Sequence, residues 1–327
     1  MKIVLLHSAD AISPPEDPVL AQVEGALREA GHATVRVVAE CRVEPLVEAL
    51  RREPPELVFN LAEGFAGKSA LESSVAALLN LLDLRYTGSS HAGLLLAGDK
   101  SVAKKILAFH GIPTPQFAAV HRGAVDWADQ LEFPLIIKPT QQDASLGVTT
   151  GSVVKDVREL LETIERMRDE FGQPALVEEF IDGREFYVGV LGNEKPRALP
   201  VMELDFTGFP EGKPRIASFA AKWGDGHAGG GEEYAGTKSV FPVGLDPELE
   251  ERMQHFAVQA FQALRLRDYG RIDLRVGHDG RIYVLEVNPN CYLERDSEFA
   301  RAAARSGLPH LDLVHSIVEL ASARYAR

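Results

Sequence analysis

The chain has 327 residues, enough for two or three domains, each with a sizeable core. An apolar content of 45% and mixed charges describe an ordinary globular protein, and a net charge of −13 excludes nucleic acid as the main partner, because a phosphate backbone calls for a basic surface. The opening MKIVLLHSADAISPPEDP holds too short an apolar run for a signal peptide, no stretch reaches the ~20 apolar residues of a membrane span, and Cys41 and Cys291 give neither a disulfide framework nor a zinc spacing. A cytoplasmic protein with no membrane partner is expected.

In chain order, KIVLLH (2–7) predicts a strand, 17–30 a helix ending at Gly31, ATVRVV (33–38) a strand, 43–51 a short helix and ELVFNL (56–61) a strand. An apolar helix over 69–82 and a turn at YTGSS (86–90) follow. This alternation predicts a parallel sheet. Helices fill 91–110 and stop at Gly111. FPLIIKP (133–139), ALVEEF (175–180) and EFYVGVL (185–191) read as strands around a helix at 155–171. Beyond 192 come strands and long loops, a helix over 246–265, a hairpin over 271–288 and C-terminal helices. The fold class is α/β, with α+β character in the C-terminal half. The expected divisions are an N-terminal parallel-sheet domain (1–95) and two further subdomains (96–190 and 191–327). The Gly-rich stretch KWGDGHAGGGEEYAG (222–236) reads as a mobile lid, since long loops in compact domains are mostly functional or disordered.

YGRIDLRVGHDGRIYVLEVNPN (269–290) is two strands around a Gly-His-Asp-Gly turn, a strong hairpin signal. An even-length turn pairs 276 with 281 and 273 with 284. One face then carries Ile272, Leu274, Val276, Tyr283, Leu285 and Val287. The other carries Arg271, Asp273, Arg275, Val284, Glu286 and Asn288. On that register Asp273 is a diagonal neighbour of Glu286, and Arg271 sits opposite Glu286. Two carboxylates and an amide oxygen are hard donors suited to Mg²⁺, which takes one or two carboxylates and completes its shell with substrate phosphates. The alternative is the solvated polar face of a half-buried sheet.

Two lysines stand at strand and helix ends. Lys138 closes the apolar run FPLIIKP, as a snorkelling edge residue or a cation awaiting an anion. Lys100 opens a helix, where the dipole disfavours a cation unless a phosphate binds there. AEGFAGKS (62–69) competes as a phosphate loop, lying between a strand and a helix, but Ala62 stands where the Walker motif has its first glycine.

Together these pieces resemble the ATP-grasp superfamily and, within it, the D-alanine–D-alanine ligases. The likeness runs through YTGSSHAGLLLAGDK, FPLIIKPTQQDASLGV, LVEEFIDGREFYVGVLG, AAKW and the hairpin, in that order. It implies an ATP-grasp fold and a ligase that phosphorylates a carboxylate and lets an amine attack the acyl phosphate, with ATP and two Mg²⁺ ions (or Mn²⁺) required. By the same resemblance Lys100 and Lys138 hold ATP phosphates, and Glu178, Glu179, Phe180 and Ile181 line the adenine. Glu185 holds the ribose, and Lys222 reaches the γ-phosphate. Asp273, Glu286 and Asn288 ligate metal, Arg271 stabilises the tetrahedral intermediate, and Ser145 belongs to the phosphate-covering loop. The family also implies small amino-acid or peptide substrates and a homodimer.

The departures fall on the amino-acid side. The family's Gly-rich turn with a glutamate is replaced by HSADAISPPEDP, its paired serines by Ala144-Ser145, and its mobile-loop tyrosine by Trp223. After Asn288 the chain reads PNCYLE. Ser297, nine residues after Asn288, matches the serine that holds the second D-alanine's carboxylate. Glu63, Trp223, Tyr292 and Ser297 are therefore the substrate-side candidates. Cys291 has no base beside it and reads as a packed cysteine. The expected activity is a carboxylate–amine ligase with a different substrate pair. D-alanine–D-alanine ligase itself and a nucleotide-binding protein with little ligase activity stay open as alternatives.

Overall fold

The computed structural model describes residues 1–8, 18–121, 124–128, 130–142, 145–224 and 230–326. The proline-rich stretch 9–17, Ala144 and the lid residues 225–229 lie outside the described residues. Among the described residues no helix is long and apolar enough to cross a membrane.

The chain begins with β1 (Lys2–Ser8), α1 (Pro18–Glu29), β2 (Ala33–Ala39), α2 (Val43–Arg52), β3 (Leu57–Leu61) and α3 (Glu72–Leu81). The strands form a parallel sheet in the order β2-β1-β3. Alternate residues of β1 enter two different cores. Ile3 and Leu5 join α1, and Val4 and Leu6 join α2 and α3. A strand covered on both faces reads as a continuous apolar run, which is why IVLL carries no alternation. The helical region 91–110 is two helices, α4 (His91–Gly98) and α5 (Lys100–Phe109). They break at Asp99, whose Oδ1 accepts the N–H groups of Ser101 (3.0 Å) and Val102 (3.2 Å) as a cap for α5.

Next come β4 (Phe117–His121), β5 (Ala124–Ala128), β6 (Leu135–Pro139), β7 (Val153–Val154), α6 (Val157–Phe171) and β8 (Ala175–Glu179). They build a five-stranded antiparallel sheet in the order β5-β4-β8-β6-β7. Parity decides what each strand shows. Leu135, Ile137, Ala175 and Val177 pack in one core with Met167 of α6, which leaves Ile136, Lys138 and Glu178 for the opposite face.

The remaining elements are β9 (Gly183–Leu191), β10 (Arg197–Ala198), β11 (Met202–Asp205), α7 (Phe219–Trp223), α8 (Glu232–Ala235), β12 (Lys238–Val240), α9 (Pro247–Ala263), β13 (Tyr269–Gly277), β14 (Ile282–Pro289), α10 (Glu298–Arg305) and α11 (His310–Tyr325). The sheet order is β12-β11-β9-β13-β14, with β10 paired to β9. Met253, Ala257 and Phe261 of α9 cover one face, against Phe186, Val188, Ile272 and Leu274. Phe299 of α10 and Leu313 and Ile317 of α11 share a second core with Tyr187, Tyr269, Ile3 and Leu5, so the two ends of the chain are packed together.

The hairpin register differs from the even-turn expectation. Val276 pairs with Ile282 and Leu274 with Val284, around a turn in which Gly280 takes φ 76°. A bulge then intervenes, and Asp273 pairs with Glu286, Ile272 with Val287 and Arg271 with Asn288. The predicted faces are corrected accordingly. Val284 enters the apolar core beside Leu274, Tyr283 stands opposite Arg275, and Leu285 joins the cleft wall. The extra residue, Leu285, reverses the parity between 284 and 286 and keeps Glu286 on the polar face. The backbone of Val284 is satisfied elsewhere: its N–H donates to Pro113 O (2.7 Å), and its carbonyl accepts the Thr114 hydroxyl (3.0 Å).

Candidate active site

Between the five-stranded and six-stranded sheets lies a cleft open to solvent. Of the sequence-predicted residues it brings together Lys100, Lys138, Ser145, Glu178, Glu179, Phe180, Ile181, Glu185, Lys222, Asp273 and Glu286. Arg271, Asn288, Glu63, Trp223, Tyr292 and Ser297 are not part of its lining.

One end of the cleft is apolar. Ile136, Val148 and Ile216 form a small buried cluster with Phe180, and Leu285 adds to the wall. The strap over this end is tied by two bonds. Ser145, in the left-handed region at φ 61°, donates its hydroxyl to Ala217 O (2.7 Å), and the Phe219 N–H donates to Val148 O (3.0 Å). These bonds fix α7, and with it Lys222, over the cleft. Nothing in residue spacing announces Ile136, Val148 or Ile216, which meet only through the strap.

Below the apolar end, Glu178 is fully buried between two lysines. Lys138 Nζ stands 2.8 Å from its Oε2, and Lys104 Nζ holds its Oε1. Burial alone would raise the Glu178 carboxyl, but Lys104 and Lys138 outweigh it and hold it below the ordinary range. Burial pushes the Lys104 ammonium down against the pull of Glu178. Sequence reasoning missed Lys104, although it lies four residues after Lys100, on the same face of α5. Glu185 is directly opposite Arg275 on β9 and β13 and forms a buried ion pair with it, Nη2 to Oε2 2.5 Å. Arg275 also donates to Ile181 O (3.1 Å) and Arg215 O (2.8 Å), so one guanidinium fastens the β8–β9 connection and the segment before α7 to the sheet.

The polar end belongs to the hairpin. Lys100 Nζ lies 2.8 Å from Glu286 Oε1 and 2.5 Å from Gln142 O, so a carboxylate of the chain itself faces the cation at the start of α5. Burial would raise the Glu286 carboxyl; Lys100 and Lys222 overcome this and hold it at about 2. Asp273 is gripped by Arg271 through two bonds, Nε–Oδ1 2.8 Å and Nη2–Oδ2 3.0 Å, yet burial still pushes its carboxyl up. Arg271 lies over the Tyr187 ring (4.7 Å) and reaches Glu298 Oε2 (3.3 Å), a residue not singled out from sequence. Asn288 donates its amide N–H to Arg271 O (3.4 Å).

The remaining candidates stand off the cleft lining. Ser297 caps α10 by accepting the Ala300 N–H (3.4 Å) and donates to Tyr292 O (3.1 Å). The Glu63 N–H donates to the Ser8 hydroxyl (3.1 Å), and Trp223 ends α7 half exposed. The competing phosphate loop is a tight turn: Phe65 and Lys68 pair with each other, Ala66 and Gly67 take positive φ, and Lys68 is exposed. Cys291 is buried, and burial drives its thiol far above the ordinary range.

The family model described as D-ala D-ala ligase C-terminus matches residues 106–319. The chain is 31% identical over 319 residues to the uncharacterized protein y4sG of Sinorhizobium fredii, covering 95% of this chain and 89% of that protein. It is also 31% identical to the D-alanine–D-alanine ligase of Desulfotalea psychrophila, over 81% of this chain and 78% of the relative. Its fold is that of the crystal structure of D-alanine–D-alanine ligase from Bacillus anthracis complexed with ATP, with a TM-score of 0.74, 21% identity and coverage of 99% of this chain and 98% of that one.

Proposed function

Because the chain belongs to the D-alanine–D-alanine ligase family of ATP-grasp, ATP-dependent C–N ligases, we propose that it joins a carboxylic acid to an amine through an acyl phosphate, on a substrate pair other than two D-alanines. The observation that carries this reading is the convergence of Lys100, Lys138, Lys222, Asp273 and Glu286 on one cleft. Phosphoryl transfer demands positioning and charge neutralisation more than covalent help. The Ile136–Val148–Phe180–Ile216 slot suits a purine, and Glu185 stands where a ribose would follow. Lys100, Lys138 and Lys222 suit the phosphates.

The donor set fits a hard divalent cation. Asp273 and Glu286 are directly opposed carboxylates and offer hard oxygen donors. Asp273, Glu286 and Asn288 would hold Mg²⁺, which would neutralise charge on the transferring phosphoryl group. The chain's own residues bind the nucleotide, aim the γ-phosphoryl group at the acid and keep Lys222 over it from α7. The strap tied by Ser145 and Phe219 limits water, which would otherwise hydrolyse an acyl phosphate.

Incubation with ATP, Mg²⁺ and a panel of acids and amines, read by mass spectrometry, tests the proposal. An amide other than D-alanyl-D-alanine, formed with ADP, supports it. D-alanyl-D-alanine as the main product selects the second reading, which the 31% identity to a D-alanine–D-alanine ligase favours. ATP binding without acceptor-dependent ADP release across the panel sinks the ligase reading.

A further inference from the structure

A short strut joins the two walls of the cleft. It is the Pro-Thr-Pro-Gln segment 113–116, between α5 and β4. At one end Pro113 O accepts the Val284 N–H (2.7 Å), and at the other Gln116 O accepts the Glu179 N–H (3.0 Å). The first contact is on β14, just before Glu286, and the second is on β8, just after Glu178. Pro115 itself lines the cleft. The prolines fix their own φ, and a residue that precedes a proline is driven to extended backbone, so Thr114 has little freedom between them.

The Thr114 hydroxyl accepts Lys104 Nζ (2.8 Å) and donates to Val284 O (3.0 Å). An ammonium has donors only, so the single hydroxyl proton must point at Val284 O. Lys104 Nζ also holds Glu178, the fully buried carboxylate that it shares with Lys138. A continuous chain of contacts therefore runs from Lys138 through Glu178, Lys104 and Thr114 to Val284, where the hairpin ladder bulges. β14 is an edge strand, and Pro113 and Thr114 take the outward N–H and carbonyl of Val284 in place of a further strand. A loose bulge can slip, and one residue of slip turns Glu286 to the opposite face.

We propose that Thr114 is a positioning residue of the phosphoryl site: its hydroxyl locks the bulge at Val284 and Leu285, and so aims Glu286 into the cleft. Thr114 is not part of the cleft lining and acts through the Val284 backbone. This rests on the metal role of Glu286 proposed above. Valine has the shape of threonine but can neither accept from Lys104 nor donate to Val284 O, whereas serine keeps both bonds. Thr114→Val therefore leaves Val284 O and one Lys104 proton without their partner. The nucleotide wall keeps its direct contacts among Lys104, Glu178 and Lys138, so the loss falls on the metal side.

The test compares the full-length protein with Thr114→Val, Thr114→Ala and Thr114→Ser, each with a saturating non-hydrolysable ATP analogue. Electron paramagnetic resonance of free Mn²⁺ gives the half-saturating metal concentration, and calorimetry gives the Kd of the analogue at saturating Mn²⁺. Thr114→Val and Thr114→Ala are expected to raise the half-saturating Mn²⁺ by about fivefold or more, the scale of one lost hydrogen bond, and to keep the analogue Kd within about twofold. Thr114→Ser is expected to stay within about twofold of wild type in both. A loss of stability alone lowers the folded fraction and the metal capacity, not the half-saturation point of the folded protein. Unchanged half-saturation in a folded hydroxyl-free variant, equal weakening in Thr114→Ser, or a larger effect on the nucleotide than on the metal overturns the role of Thr114. Failure of both hydroxyl-free variants to fold also overturns it, because the hydroxyl then serves the fold. Wild-type protein that takes up no Mn²⁺ with the analogue defeats the metal reading, and this inference with it. The amide panel above is a separate measurement: a protein that binds Mn²⁺ as expected but makes no amide loses the ligase reading and keeps the role of Thr114.

Discussion

Asp273 and Glu286 stand directly opposite each other across β13 and β14 because Leu285 is an extra residue in the ladder. Without the bulge, strict alternation would put Val284 and Glu286 on the same face. With it, Val284 fills the core and Glu286 faces Lys100 across the cleft at 2.8 Å. A strand edge is where such a bulge costs least, since only one neighbour's ladder is disturbed, and β14 is the edge strand of its sheet.

Glu286→Gln should reduce turnover by at least about a hundredfold, because it removes one of two opposed charges that preorganise the phosphoryl site. Little packing is lost, since the side chain lies on the cleft wall. Circular dichroism should be unchanged while acceptor-dependent ADP release collapses. Near-normal turnover would refute the assignment of this carboxylate to the reaction.

Much of this was legible in the sequence. The βαβ alternation of the first 60 residues, the helix over 247–263 and the hairpin followed from periodicity and turn residues. The polar face of the hairpin was legible too, but its register was not, because a bulge leaves no mark in a pattern of alternate residues. Lys104, Arg275 and Glu298 escaped for a different reason. Each is a charged residue whose importance comes from a partner at least 27 residues away: Glu178, Glu185 and Arg271. The β4–β5 hairpin escaped because FAAV and AVDWA are short and Ala-rich, with weak strand preference.

The two candidate phosphate lysines make opposite predictions. Lys138 lines the cleft and balances a buried carboxylate, whereas Lys68 is exposed on a tight turn. Lys138→Met should weaken ATP binding by about tenfold or more, the scale of one charge-assisted phosphate contact. Lys68→Met should leave it unchanged. Calorimetric titration with a non-hydrolysable ATP analogue separates them, and the reverse order would restore the phosphate loop at 62–69.

Glu178 gives the fold an acid limit. Its ordinary carboxyl value of 4.5 is raised by burial and lowered by Lys104 and Lys138, and the lysines prevail. A carboxyl lowered in the folded state contributes stability that is complete above that ordinary value and is lost as pH falls through the lower folded one. Glu178→Gln strands two lysines at a buried site and should cost roughly 3–5 kcal/mol at neutral pH. The gap between variant and wild type should narrow steadily as the buffer is made more acidic. Urea midpoints across the acid range measure it, and a gap that widens toward low pH would contradict the lysine sandwich.

The two cysteines should behave as different chemical species. Cys41 is exposed, and Cys291 is buried with its thiol pushed up by that burial. Ellman's reagent should modify one thiol in the native protein and two in denaturant. Cys291→Ala should retain turnover, and loss of turnover in a folded Cys291→Ala protein would give this thiol a part in the chemistry.

One buried acid ties the turn at 86–90 to the C-terminal half, beside the apolar core that the first sheet and that half share. Asp268 is wholly buried and accepts Arg324 through Nε–Oδ1 (2.9 Å) and Nη2–Oδ2 (2.8 Å), the Gly88 N–H (2.7 Å) and the Asn193 amide (2.9 Å). Arg324 Nη2 also donates to Tyr86 O (2.9 Å), so α11, the turn after α3 and the strand entering the hairpin meet at one ion pair. Arg324→Met leaves the carboxylate buried without its cation and should destabilise by roughly 3–5 kcal/mol. Asp268→Asn in the same protein removes the stranded charge, so the double variant should recover part of the loss relative to simple addition. Denaturant unfolding of the two single variants and the double closes the cycle, and strict additivity would mean that the two residues do not act as a pair.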